Sequence, residues 1–452
     1  MTGTPAEAFG TWAALQPRLT AAQERLARDA IIDTVACLVL GADDASTRSA
    51  EQVLTSPGAT GPSTMVTGAS GPPAAAASVN ATAAHAADFD DNFTPGMSHA
   101  SAVLVPALLA VAEAEPGRAD RLLESYVVGL QAQAYVGALV GYGHYVWGWH
   151  GTSTVGCIGT AAAVAHLCDG SADAVGRALG IAVSFAGGTK AQFGTPMKAL
   201  HAGLAARGAV EAGLLAVAGV SAHPRALEGP QGFVALTGRG DGTDGSEWLT
   251  DTLAVERPGV LPKQYPSCGS THLVLDAIAD LVEATGFTAS EVTGVEATIG
   301  PAGLGSLPYR EPSNALEARF SMEYCVRTFL RRSTLALADF TEARVQEYRT
   351  EVREPEQIEV ILCAWDDSDL PPGFSADRPP HHVRVHLRDG RTLEHVRVLP
   401  RGNVDDPFSD EQRRRKFLDC CGRGSEPIHA RMLTADGPGL LACMRALVTG
   451  LR

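Results

Sequence analysis

Apolar residues recur at helical spacing through the first half of the chain. After Thr20, the residues Ile31, Val35, Leu38 and Val39 fall three or four apart and stop at Gly41, and the Thr20/Gln23 pair fits a capping box at the start of that helix. The same period predicts helices over 103–114, 153–167, 172–185 and 198–218. These segments are rich in Ala and Gly, whose small side chains let helices approach closely, so a tightly packed helical domain fits better than a sheet. Near Leu261 the pattern changes. "VTGVEATIG" (292–300), "QIEVIL" (357–362) and "HHVRVHLRDGRTLEHVRVLP" (381–400) alternate apolar and polar positions, and "RDGR" between two alternating runs predicts a hairpin. Helical patterns over 272–284 and 317–330 lie among them, giving a smaller α+β domain over 261–400. The stretch 365–380 reads as a polar, proline-rich loop. The tail returns to helix, with Ser409 as its cap and Asp410 and Glu411 in its first turn.

Length and composition narrow the class. A chain of 452 residues is expected to form two or three domains. With 45% hydrophobic and 19% charged residues it is a globular composition. The net charge of -15 repels nucleic acid and anionic membrane, so neither is an expected partner. From Ser125 to Cys168 there is no Asp, Glu, Lys or Arg, but Gln131, Gln133, His144 and His150 interrupt the run. A membrane helix needs about 20 consecutive apolar residues, so this segment reads as buried core with a polar cluster inside. The nine cysteines are scattered without a CxxC, as expected for reduced thiols in a cytosol and not for a zinc–cysteine site. No basic-then-apolar leader opens the chain, and a cytoplasmic location is the expectation.

Four stretches carry candidate chemistry. "HAADFDDNFTPGMSHAS" (85–101) sets Asp88, Asp90 and Asp91 before His99. It is open to three readings: a metal site, an acid/base site, or a capped helix end followed by a solvated turn. Asp and His are competent metal ligands, but neither HxxxH nor HExxH spacing is present. In "GHYVWGWHGTSTVG" (143–156), His144 reads as a hydrogen-bonded core residue. His150 stands at a loop-to-helix junction, where free N–H groups favour an anionic ligand. "FGTPMKALHAG" (193–203) holds Lys198, one of four lysines against thirty-two arginines. A compact ammonium in so arginine-biased a chain suits a carboxylate where a guanidinium would not fit; a plain surface lysine is the competing reading, and His201 reads as core. "LPKQYPSCGSTH" (261–272) places Lys263, Cys268 and His272 at the proposed domain junction, a favoured place for pockets. No phosphate loop or dinucleotide fingerprint occurs. Histidine, lysine, aspartate and backbone N–H groups together suit proton abstraction α to a carboxylate, where the developing charge needs cations and donors.

Seven segments in order resemble the MmgE/PrpD family, which includes 2-methylcitrate dehydratase, cis-aconitate decarboxylase and iminodisuccinate epimerase. They are "HAADFDD…SHASAVLVPALLAVAEA", "GWHGTSTVGCIGTAAAVAHL", "GTPMKALHAGLAARGAVEAGLLA", "LEGPQGF", "LPKQYPSCGSTHLVLDAI", "EARFSMEYCV" and "LPRGNVDDPFSDEQRRRKF". The resemblance implies a mainly α protein. A large all-helical domain would comprise 1–260 plus 401–452, and a smaller inserted α+β lid domain 261–400. It implies a homodimer without metal or organic cofactor, acting on a small carboxylic acid. Carried onto this chain, the site would hold His150 as base or acid, with Lys198 and Lys263 holding substrate carboxylates, Lys198 also serving as a proton donor, and Asp88 orienting His99 or Lys198. Lys263, Tyr324, Asn92 and Cys268 would contact substrate. The chain departs from the cis-aconitate decarboxylases by Cys268 in place of a histidine, Asn92 in place of a threonine, Gly151 where proline is common, and a loop before His99 that is one residue longer. The expected activity is a cofactor-free lyase, by dehydratase-type elimination or decarboxylation. An epimerase or isomerase of a carboxylate, or a non-catalytic binding member of the scaffold, are the alternatives.

Overall fold

Thr20 caps the helix Ala21–Leu40 with the reciprocal Thr20/Gln23 box that the spacing predicts, and Ser409 does the same for Asp410–Cys421 through Gln412. The computed structural model describes residues 3–16, 18–55, 60–351, 358–366, 370 and 379–450; residues 371–378 of the proline-rich stretch lie outside the described residues. Helix accounts for 57% and strand for 9%, so the protein is mainly α with small sheets. The chain divides into two compact units. One comprises the residues up to Ala191, Pro196–Pro262 and Phe408 onward; the other comprises Gln192–Thr195 and Lys263–Pro407.

In the first unit, the helix Pro73–Ala86 packs along Pro196–Val217 and Ala100–Ala114, while Val155–Cys168 packs against Leu122–Val140 and Pro196–Val217. Small residues allow this density. A Cβ on Gly203 would lie 2.2 Å from Thr82 Oγ1 and 2.6 Å from Ser78 O, so the two central helices approach at hydrogen-only width there. The charge-free segment 125–168 spreads over three helices: Leu122–Val140 and Val155–Cys168 are nearly all buried, whereas the short Tyr142–Val146 buries His144 alone. Gln131 within it is satisfied: it donates to Trp248 O at 2.6 Å and accepts from Ala254 N at 2.7 Å. The helix Pro196–Val217 is long and apolar enough to cross a membrane, but 61% of its apolar window is buried within the fold. It also carries Lys198, His201, Arg207 and Glu211.

The tail is tied back by one buried ion pair. Lys416, 6% exposed, lies 2.8 Å from Asp33 Oδ1 and donates to the Phe89 carbonyl at 2.9 Å. Burial alone would pull its ammonium down, but Asp33 and Cys37 outweigh burial and lift it. Lys416→Met is therefore expected to cost about 3–5 kcal/mol, because Asp33 would be left buried and unpaired. Urea denaturation reads this, and a loss under about 1 kcal/mol would show the pair to be no more than a surface bridge.

In the second unit, four strands lie in the order Glu359–Ala364, Val292–Ile299, His381–Leu387, Thr392–Arg397. The first pair is parallel and the other two are antiparallel. The strand His381–Leu387 buries every second residue, as the alternation predicts, and turns at Gly390, whose φ of +88° suits glycine. The helices Gly269–Thr285 and Met322–Arg332 pack on this sheet and on each other.

Candidate active site

Two helix ends and two turns of the first unit assemble the cluster. The helix Pro73–Ala86 brings His85 into its last turn and closes at Ala87. Asp88 follows at φ +51°, a left-handed conformation that aspartate tolerates better than most residues and that points to a local constraint. The loop then runs back on itself through paired Phe93 and Ser98, and His99 stands at the N-cap of Ala100–Ala114. Ser98 donates to the buried Gln133 Oε1 at 2.7 Å, and Gln133 donates to Ala100 O, which pins the loop to the core. The His99 backbone N–H donates to Thr152 Oγ1 at 3.0 Å, joining this loop to the turn that bears His150. His150 is fixed in turn by its N–H bond to Gly188 O at 3.1 Å. Lys198 lies in the first turn of Pro196–Val217, after a proline that suits that position.

The loop before His99 lays the Gly96 and Met97 carbonyls on Gly151, where a Cβ would lie 2.2 Å from Met97 O. The path this loop takes therefore requires glycine after His150.

The side chains meet in a single buried network. Lys198 Nζ donates to Asp88 Oδ1 at 2.6 Å and to His85 Nε2 at 3.0 Å. His85 Nδ1 donates to Asp90 Oδ2 at 2.8 Å, and His99 Nδ1 lies 3.3 Å from the same oxygen. His99 Nε2 is 3.8 Å from Asp88 Oδ1. The His150 ring stacks beside His85 at 5.8 Å, and its Nδ1 is 3.0 Å from His201 Nδ1.

The protonation states follow from these contacts. Burial pushes His85 down to about 4, against Asp90 and with help from Lys198. A neutral His85 with hydrogen on Nδ1 and a lone pair on Nε2 satisfies both neighbours. Burial works to raise the Asp90 carboxyl, yet His85 and His99 overcome it and hold Asp90 well below the usual carboxylate range. Burial and then Lys198 and His85 hold His150 well below its ordinary value, so it is an unprotonated imidazole at neutral pH. Asp91 faces away, accepting from Ser101 N, and burial lifts it to about 7.

These shifts predict an acid-sensitive fold. His85, His144, His166, His201 and His381 are each brought by burial to about 4, and burial and then Lys198 hold His150 well below its ordinary value. Below an ordinary value of about 6.5 the unfolded chain takes up protons that the fold refuses. The stability these groups contribute is thus present above about pH 6.5 and is lost as pH falls toward 4. Asp91 alone among these acts in the opposite sense, keeping a proton below about 7 in the fold. The urea midpoint is expected to drop markedly between pH 7.5 and 5. A flat midpoint over that interval would contradict neutral buried histidines.

His85, Asp88, Asp90 and His99 offer ligand atoms within 4.8 Å of one another, a spacing a metal ion can use. Lys198 already places an ammonium against two of them at 2.6 and 3.0 Å. The cation of this cluster is the chain's own, and a divalent ion would have to displace it.

Of the residues expected from sequence, Asp88, His99, His150 and Lys198 come together here. Asn92 lies in the same loop and pairs its backbone with Leu261. Lys263, Cys268 and Tyr324 belong to the second unit. Lys263 is 1% exposed, and Cys268 stands at the N-cap of Gly269–Thr285. Tyr324 is buried against Phe340 and Tyr348, and its hydroxyl donates to the Asp339 carbonyl. His144 is a core residue, held between Thr237 O and Thr154 Oγ1. From sequence, His85 carries no assigned role, Asp90 reads as a helix cap within the acid cluster, and His201 reads as core. A signal existed for one of them: His201 lies three residues after Lys198, the spacing of neighbours on a helix face.

The chain matches the MmgE/PrpD N-terminal domain over residues 14–245 and the MmgE/PrpD C-terminal domain over 265–434. It is 30% identical to the cis-aconitate decarboxylase of Mus musculus over 361 residues, 76% of this chain and 71% of that protein. It is 29% identical to the Homo sapiens cis-aconitate decarboxylase over 360 residues, 76% and 72% of the two chains. Against the cis-aconitate decarboxylase of Aspergillus terreus the identity is 27% over 381 residues, 77% and 75%. With both family domains present in order and together spanning most of its length, the chain belongs to the MmgE/PrpD family.

Proposed function

We propose that the protein is a cofactor-free lyase that removes a proton α to a carboxylate of a small acid, with dehydratase-type elimination as its leading chemistry. One observation carries this: a neutral, buried His150 stands in the field of Lys198, whose ammonium is oriented by Asp88 and His85. Lys198 then serves twice. Together with burial, its charge keeps His150 unprotonated in the resting protein, and it offsets the negative charge that grows on the substrate, which lessens the basicity His150 must supply. Asp90 holds His85 and His99 in position. Lys263, Asn92 and Cys268 are the proposed carboxylate-side contacts, and Tyr324 joins them only by giving up the Asp339 carbonyl. The curated relatives act on cis-aconitate by their names, which supports a polycarboxylate substrate; in the decarboxylation those names state, the C–C bond to the carboxylate breaks, carbon dioxide leaves, and an acid such as protonated His150 or Lys198 delivers a proton to the carbanion. The working form on this reading is a cytoplasmic homodimer.

The test is turnover in D2O followed by NMR, with cis-aconitate and a panel of 2-hydroxy acids, on chelator-treated protein. Formation of an alkene acid or release of carbon dioxide without added metal is expected. Deuterium in recovered substrate with no new product would instead assign an epimerase. Neither product nor exchange with any acid would favour a binding protein, and activity restored only by metal would overturn the proposal.

A further inference from the structure

We propose that His201 is the proton partner of His150: the two imidazoles share one hydrogen between their Nδ1 atoms, and its position decides whether His150 Nε2 is a bare lone pair or carries a proton. The inference rests on the reading of His150 as acid or base. The two Nδ1 atoms lie 3.0 Å apart, with ring centroids at 5.2 Å and planes tilted by 45°. Neither nitrogen is a carbonyl, so one must donate and the other accept; two N–H groups cannot face each other at that distance. Both rings are buried, at 1% and 5% exposure, and His201 lies one turn beyond Lys198 on the same helix. The charged and titratable groups facing the pair are Lys198, His85 and His99, and burial together with Lys198 disfavours a second proton on either ring.

An unassisted imidazole favours hydrogen on Nε2, the wrong tautomer for a base acting through Nε2. His201, by accepting from His150 Nδ1–H, holds the useful one. When His150 removes a substrate proton, the substrate C–H bond breaks and the His150 Nε2–H bond forms. The His150 Nδ1–H bond can then break as a His201 Nδ1–H bond forms. The pair gains one proton and one positive charge, now divided between two rings, while the electron pair of the C–H bond stays on the substrate. The reverse shift arms His150 Nε2–H as a donor. His201 is thus a positioning residue that acts through His150.

The test combines histidine 15N NMR of the intact protein with kinetics of His201→Leu and His201→Asp. The wild type is expected to show 15N–15N coupling across the Nδ1–H···Nδ1 bond, lost in His201→Leu. In His201→Leu, kcat is expected to fall about 100-fold with KM nearly unchanged, the lower end of acid–base contributions. His201→Asp should recover about tenfold of that, since a carboxylate accepts from Nδ1–H, and should move the acidic limb of the kcat profile to higher pH because its charge favours imidazolium. Absence of the coupling in the wild type, wild-type kcat in His201→Leu, or equal losses in both variants with an unmoved acidic limb would each overturn the pairing. His150→Ala is the reference. Should it stay active, the parent reading fails; should it be inactive while His201→Leu is not, only the pairing fails.

Discussion

Lys198→Ala is expected to lower kcat/KM about a thousand-fold, the scale of losing one preorganised charge-stabilising donor, and to destabilise the fold by about 3–5 kcal/mol. Both losses have one source. The ammonium sits 2.6 Å from Asp88 in a cluster from which water is largely excluded, and removing it leaves a carboxylate only 4% exposed without its counter-charge. Asp88 would then take a proton or draw in water. His150 would also change, since Lys198 is the largest charge holding it neutral, and its acidic limb should move upward in pH. Lys198→Arg should not rescue turnover, because a planar fork cannot occupy a space that a compact ammonium fills between Asp88 and His85. Urea denaturation and steady-state kinetics together decide the matter. A stable, active Lys198→Ala protein would remove this lysine from the chemistry.

His150→Gln should fold nearly as well as the wild type while losing about 10²–10⁴ in kcat. Glutamine keeps the shape of a hydrogen-bonding side chain toward His201 Nδ1 but has no basic nitrogen. The His85, Asp90, Lys198 and Asp88 bonds do not pass through residue 150, so the rest of the cluster should keep its geometry. Exchange of substrate hydrogen for solvent deuterium should disappear along with product. Persistent exchange would mean that another group, with His99 next in line, takes the proton.

Much of the framework was legible before any coordinates. Short-range rules suffice for a capping box at Thr20, a cap at Ser409 and a hairpin turn at Gly390, because each involves groups within four residues. The helix predicted over 198–218 is observed as Pro196–Val217, and that predicted over 172–185 ends at Ala182, a turn early. The helix predicted over 317–330 breaks instead into a turn at Ala315–Ala318 and the helix Met322–Arg332, as Ser321 caps the second through Tyr324 N.

The cluster was legible only in part. Residue chemistry and family likeness point to Asp88, His99, His150 and Lys198, whereas Asp90 reads from sequence as a possible helix cap. His85 and His201 stood in apolar helical runs, where a histidine looks like any satisfied core residue. What distinguishes them is contact across 113 residues to Lys198 and 51 residues to His150.

By itself the sequence determined the helical character of most of the chain, the alternating strands after residue 290, the caps and turns, and a store of histidine, lysine and aspartate without a phosphate loop. These are properties of neighbouring residues, and local sterics and hydrogen bonding settle them. Only the tertiary structure decided which histidine is neutral, which carboxylate is ionised, and that the lysine ammonium stands where a metal ion would. Those outcomes depend on desolvation and on charges brought together from distant segments, and neither exists until the chain has folded.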